Sequence, residues 1–141
     1  MDRYATRRLE GWEKRLDAVI EAARHRPYEL GVHDCFRVAC QVIEALTGVD
    51  RWPQFSGYRT RREALARLAA HGSNFEAAGD WFFGSERVAP VEARRGDIVA
   101  LATLNGEKHL AVCLGAHSAC LTDAGLASVP TAACICAWRI G

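Results

Sequence analysis

The chain has 141 residues, half of them hydrophobic and a quarter charged, with 18 Lys and Arg against 17 Asp and Glu for a net charge of +1. That length fits a single domain over residues 1–141, burying roughly two-thirds of its unfolded surface. The composition excludes a disordered or fibrous chain, and the near-neutral balance gives no reason to expect a nucleic-acid or anionic-membrane partner.

Residues 5 to 25 read as an amphipathic helix, because Leu9, Trp12, Leu16, Val19, Ile20 and Ala23 collect on one stripe. Pro27 closes it, since the residue before a proline is pushed out of helical geometry. After the loop from Tyr28 to His33, Asp34 is a suitable N-cap for a second helix whose buried face is Phe36, Ala39, Cys40, Ile43 and Leu46. Gly48 suits a left-handed C-terminal position. Residues 49 to 59 read as a loop. Thr60 and Glu63 then have capping-box spacing, opening a third helix through Leu68 and Ala69 that stops at Gly72. A short helical piece around 74 to 82 is the least determined element.

The pattern changes after Gly84. Gly96-Asp97 is a turn into the apolar run Ile98 to Leu101, and Asn105-Gly106 is the strongest short hairpin signal in the chain. The return strand is Lys108 to Leu114, followed by strands at 119 to 122 and 126 to 130, and a last one within Ala133 to Ile140. N-terminal helices packed on a C-terminal antiparallel sheet make an α+β domain. The arginines at Arg3, Arg7 and Arg8, at Arg59, Arg61 and Arg62, and at Arg94 and Arg95 read as solvated helix and loop faces. The N-terminus has charges where a signal peptide needs an apolar core, and no run reaches the roughly 18 apolar residues of a membrane span. The chain is therefore expected to be made in a cytoplasm and to stay there unless something else exports or releases it.

Six cysteines, without a secretion signal and with a sizeable core, are expected to be free thiols. Cys134 and Cys136 are too close for a usual zinc knuckle and no paired CxxC exists, so no metal and no cofactor is expected. Cysteine nucleophiles work as thiolates, and a helix N-terminus favours the thiolate through its unpaired N–H groups. Only Cys35, directly after the Asp34 cap, has such a place; Cys40 lies in mid-helix, and Cys113, Cys120, Cys134 and Cys136 fall in apolar β segments as small buried hydrophobes. The base must come from elsewhere in the fold. His25 and His71 end helices, His33 is two residues from the nucleophile and should diverge from it, and His117 follows a turn. His109 is the second residue of a strand whose alternation puts it on one face with Ala111 and Cys113, a placement that suits a cleft.

Three blocks carry a resemblance. Pro27-Tyr28-Glu29-Leu30-Gly31 followed by Asp34-Cys35, then Gly96-Asp97-Ile98-Val99, then His109-Leu110-Ala111-Val112-Cys113-Leu114-Gly115 resemble, in order and spacing, the motifs of the NlpC/P60 type of papain-like cysteine peptidases and amidases. The resemblance implies a papain-like fold, with Cys35 as nucleophile, His109 as general base, Tyr28 lining the substrate cleft beside Asp34, and the Cys35 N–H helping to hold the oxyanion. It implies a substrate such as a peptidoglycan peptide or a similar amide, and a place in a phage tail, prophage or gene-transfer particle, with a catalytically inert structural module or an acyltransferase on the same scaffold as alternatives. Two positions depart from the family. Phe36-Arg37 stands where Ser-Gly is usual, and the histidine-orienting position on the next strand is Leu121, leaving Thr122 or Asp123 as candidates one or two residues late.

Overall fold

The computed structural model describes residues 7–141. Four α-helices precede an antiparallel sheet: α1 (Trp12–Ala23), α2 (Cys35–Thr47), α3 (Arg61–Ala69) and α4 (Phe75–Phe83), then β1 (Arg87–Val88), β2 (Ile98–Ala102), β3 (Lys108–Cys113), β4 (His117–Thr122), β5 (Gly125–Pro130) and β6 (Cys136–Trp138). The α+β class read from the sequence holds for these residues.

α1 is shorter than expected. Residues 5 and 6, like Arg3, lie outside the described residues, and Gly11 at φ 75° sets the entry to the helix. Leu9 therefore precedes α1, where its N–H donates to the Leu46 carbonyl at 2.6 Å and ties the start of α1 to the end of α2. α2 has the Asp34 cap and a left-handed Gly48, and it buries Val38, Ala39, Cys40, Val42, Ile43, Ala45 and Leu46 between α1 and the sheet. The Thr60 cap forms, the Glu63 N–H donating to Thr60 Oγ1 at 3.2 Å, while the Glu63 carboxylate accepts the Thr60 hydroxyl at 3.1 Å and the Arg59 N–H at 3.4 Å rather than the Thr60 N–H of a full capping box. The helix it opens stops at Ala69, short of Gly72. The weakly signalled fourth helix is real; Asn74 Oδ1 caps it by accepting the Ala77 N–H at 2.8 Å.

The strand order is β1-β6-β2-β3-β4-β5, so β2 to β5 form the expected meander while β6 crosses back to the free edge of β2. β6 is shorter than its apolar pattern because 131–133 coil into a 3₁₀ turn, and β1 is too short to leave a periodic signal. Alternation sorts the sheet into two faces. Ile98, Ala100, Leu110, Val112, Cys136 and Trp138 join the helical core, and Val99, Ala111, Cys113, Cys134 and Ala137 form a second cluster.

Fully buried Asp97 pins the domain's ends together. It accepts from the Arg94 N–H at 2.8 Å, the Ile140 N–H at 3.0 Å and the Arg8 guanidinium at 2.9 Å. Of the arginines read as solvated faces, Arg8 is instead drawn into the interior against Asp97, while Arg61, Arg94 and Arg95 stay exposed and pair with Glu107, Asp97 and Asp17.

Trp138, fully buried, donates from Nε1 to Asp80 Oδ1 at 2.8 Å and covers Gly79 so closely that a Cβ there would lie 2.2 Å from the indole. Gly79→Ala gains about 1 kcal/mol in helix propensity, yet overpacking costs about 1–3 kcal/mol and this clash is severe. Urea unfolding should show a net loss of stability. A variant as stable as wild type would mean that the indole is not held.

Candidate functional site

The segment before α2 is set by backbone contacts at both ends. The Tyr28 N–H donates to the Thr122 carbonyl at 3.2 Å, and Glu29 and His33 exchange hydrogen bonds of 2.8 and 2.7 Å. Gly31 has φ 78° and passes so near the Tyr58 carbonyl that a Cβ would lie 2.5 Å from its oxygen, so both conformation and space require glycine. Asp34, 2 % exposed, accepts the Gly31 N–H at 2.8 Å and the Arg37 N–H at 2.9 Å, and it takes a short hydrogen bond from the Tyr58 hydroxyl. Burial and then this bond push the Tyr58 phenol pKa far up, so it remains a donor. Asp34 borders the cleft, but both its oxygens are committed to protein donors; it holds the start of α2 in place.

Cys35 follows in the first turn of α2, partly exposed at the cleft, and it also lines a small cavity shared with Val38, Ala39, Leu110, Val112, Ala119 and Leu121. Burial pushes its thiol up to about 12, the Asp34 and Cys120 charges push the same way, and N–H groups of Leu110 and of Cys35 itself pull down. The helix-start argument predicts the opposite sign; here burial outweighs it. Cys40 and Cys136 are raised by burial to about 12 and about 11, so the thiol pKa does not single Cys35 out. Its placement does.

The Leu110 N–H is available to the sulfur because the sheet opens beside it. The Ala100 carbonyl is taken by the Ile135 N–H at 2.7 Å, so Ala100 turns its polar groups toward β6 and Leu110, opposite it, turns its own toward β4. The β3–β4 ladder runs only from Ala111 with Cys120 to Cys113 with Ser118. At Leu110 the strands have parted, and the sulfur stands in the gap.

Cys35 and His109 line one cleft of about 430 Å³ between α3 and the β2–β3 hairpin. Phe36, Leu68 and Phe75 give it an apolar wall, Phe36 stacking on Phe55 with ring centroids 4.4 Å apart. Tyr28, 41 % exposed, stands at the rim. Among the described residues no hydrogen bond joins the Cys35 sulfur to His109. The His109 Nε2 lies 3.6 Å from a Glu107 carboxylate oxygen, and the other Glu107 oxygen is paired with Arg61 of α3.

Glu107 was missed in the sequence, although its position two residues before His109 puts both on one side of the chain. Neither orienting candidate lines this cleft: the Thr122 hydroxyl donates to the Gly125 carbonyl at 2.7 Å and accepts the Ala124 N–H at 3.2 Å, and Asp123 sits exposed in the same turn. His33 is buried at a different cleft, His71 stacks on Trp81 and His117 heads β4. All six cysteines are free, and among the described residues no group of three or more His, Cys, Asp and Glu is arranged to hold a metal ion. No helix among them is long and apolar enough to cross a membrane.

The family model for DUF6950, a domain of unknown function, matches residues 7–140, and the chain belongs to that family. No curated protein and no solved structure matches it.

Burial that pushes the Cys35 thiol up to about 12 separates it in pH dependence from an ordinary exposed thiol, as it does Cys40. Alkylation by iodoacetamide, mapped by mass spectrometry, should rise by about tenfold per pH unit and continue beyond about pH 9, where an ordinary exposed thiol levels off. A rate already level at neutral pH would reveal a preformed thiolate and contradict the burial argument.

Proposed function

We propose that this DUF6950 member is a cysteine hydrolase of papain-like NlpC/P60 type that cleaves amide bonds, with peptidoglycan peptides as substrate and a phage tail or prophage particle as its setting. The observation that carries the reading is the shared cleft: a cysteine in the first turn of a buried helix faces the same space as a histidine whose Nε2 is next to a carboxylate. With Nε2 turned to Glu107, Nδ1 is the nitrogen left to take a proton. The three sequence blocks around Cys35, Asp97 and His109 supply the family likeness.

The chemistry starts from a thiol. Cys35 Sγ attacks the carbonyl carbon as its proton passes to His109, and the Cys35 N–H at the start of α2, which favours charge on the sulfur beforehand, meets the negative oxygen of the tetrahedral intermediate as the charge moves there. His109 returns the proton to the leaving nitrogen as the C–N bond breaks. Water then adds to the thioester with His109 as base, releasing the carboxylic acid and restoring the thiol. The apolar wall of Phe36, Leu68 and Phe75 borders the sulfur, and Arg61 fixes the Glu107 carboxylate beside the imidazole. His109 has to swing onto the sulfur for the first step.

A specific set of observations favours a second reading, an inert structural module of a phage tail or gene-transfer particle. The thiol is strongly protonated, no hydrogen bond joins it to His109, and Leu121 fills the place of a polar orienting residue. Purified bacterial cell walls separate the two. Wild type should release peptides; Cys35→Ala should fold normally and release none, and Glu107→Gln should lower the rate while leaving the fold intact. Wild type inert against several wall chemistries, with Cys35→Ala particles still infectious, would establish the structural role instead.

A further inference from the structure

α1 and α2 enclose a second cleft of about 400 Å³, whose walls include Arg15, Val19, Arg26, His33, Arg37 and Glu44. His33 is 2 % exposed, and neither of its ring nitrogens has a hydrogen-bond partner. Buried polar groups are almost always satisfied, so an imidazole with two open nitrogens at a cleft wall calls for a ligand atom. The backbone around it is firmly held by the Glu29–His33 bridge, so the ring's position is built into the fold.

The charges around the ring say what kind of atom that is. Arg26 and Arg37 are close enough to oppose protonation of His33, while Asp34 and Glu29 favour it, and burial is the largest influence, keeping the empty ring neutral. Both Asp34 oxygens are already filled. Arg15 is committed to the last turn of α2, its Nε donating to the Ala45 carbonyl at 2.6 Å, and Glu44 lies at that far end. Arg37 is steadied over the Trp52 ring at 5.2 Å, which leaves its N–H groups available. Among the described residues, no carboxylate pairs with Arg26 or Arg37. Two guanidinium groups without a carboxylate partner beside an unpartnered imidazole form a cationic end to the groove, whose far end holds Arg15 and Glu44.

We propose that this end of the α1–α2 cleft, at Arg26, His33 and Arg37, binds a small oxyanion, a phosphate or carboxylate group of a ligand. Its oxygens accept from the two guanidinium groups and from the imidazole, which becomes doubly N–H donating when it takes up a proton. The site is separate from the Cys35 cleft and does not depend on the hydrolase reading.

Proton NMR titration of the full chain tests this, following the His33 ring signal assigned from a His33→Gln spectrum. Sulfate stands in for a phosphate group because it does not itself titrate in this range, acetate stands in for a carboxylate, and chloride at matched ionic strength removes the effect of screening Arg26 and Arg37. The His33 midpoint should rise by about one pH unit or more in sulfate relative to chloride, a tenfold preference of the anion for the charged ring. An equal rise in acetate extends the site to carboxylates; a rise in acetate alone restricts it to them. The Arg26→Gln/Arg37→Gln double variant, with an unchanged circular dichroism spectrum, should lose the rise. A midpoint unmoved by both anions, or moved equally in the double variant, overturns the proposal.

Discussion

The buried carboxylate of Asp34 is the contact on which the site depends. It is the N-cap of the central helix, and it also gathers the Gly31 backbone from the preceding loop and the Tyr58 hydroxyl from the loop after α2. A buried carboxylate is tolerated only with such donors, and removing one partner of a buried hydrogen bond costs about 1–3 kcal/mol. Because Cys35 is the next residue, whatever fixes Asp34 fixes the sulfur against the sheet. The same proximity has a price: the carboxylate adds to burial in keeping the thiol protonated.

That tension shapes the chemistry. A sulfur wedged where β3 and β4 part is held between two backbone N–H groups, which favour a developing negative charge, inside surroundings that disfavour a standing one. Such a site suits proton removal during attack rather than before it. The proposed base comes from a different part of the chain, the hairpin carrying Glu107 and His109, whose Glu107 is paired with Arg61 of α3. Lys108 adds a second strut, reaching Glu76 of α4 at 2.7 Å. The hairpin is thus braced on the helical layer through the two residues just before His109.

The starts of α2 and α3 were legible because Asp34 and Thr60 cap as their side chains suggest, whereas the start of α1 was read at residue 5 instead of Trp12 and the Asn74 cap was not read at all. Strands β2 to β5 were legible from alternation and turn glycines. The crossing of β6 to the edge of β2 was not, since pairing order depends on long-range packing that no local period records. In the site, Cys35 and His109 were marked by position and motif and line one cleft. Glu107 was hidden because a charged residue beside an Asn-Gly turn looks like ordinary loop surface, and Thr122 attracted attention although its hydroxyl only closes the β4–β5 turn. The thiol's protonation was misjudged because a sequence shows the helix start and not the burial that outweighs it.

The central claim is that His109 acts on the Cys35 sulfur, and the rate at which an activated ester acylates Cys35 at neutral pH measures it most directly. General-base assistance is worth about 10²–10⁴-fold, so His109→Ala should slow acylation by a factor in that range while His33→Ala and His117→Ala leave it near wild type. Equal rates in wild type and His109→Ala, with acylation confirmed at Cys35 by mass spectrometry, would show that the two residues share a cleft without sharing a reaction.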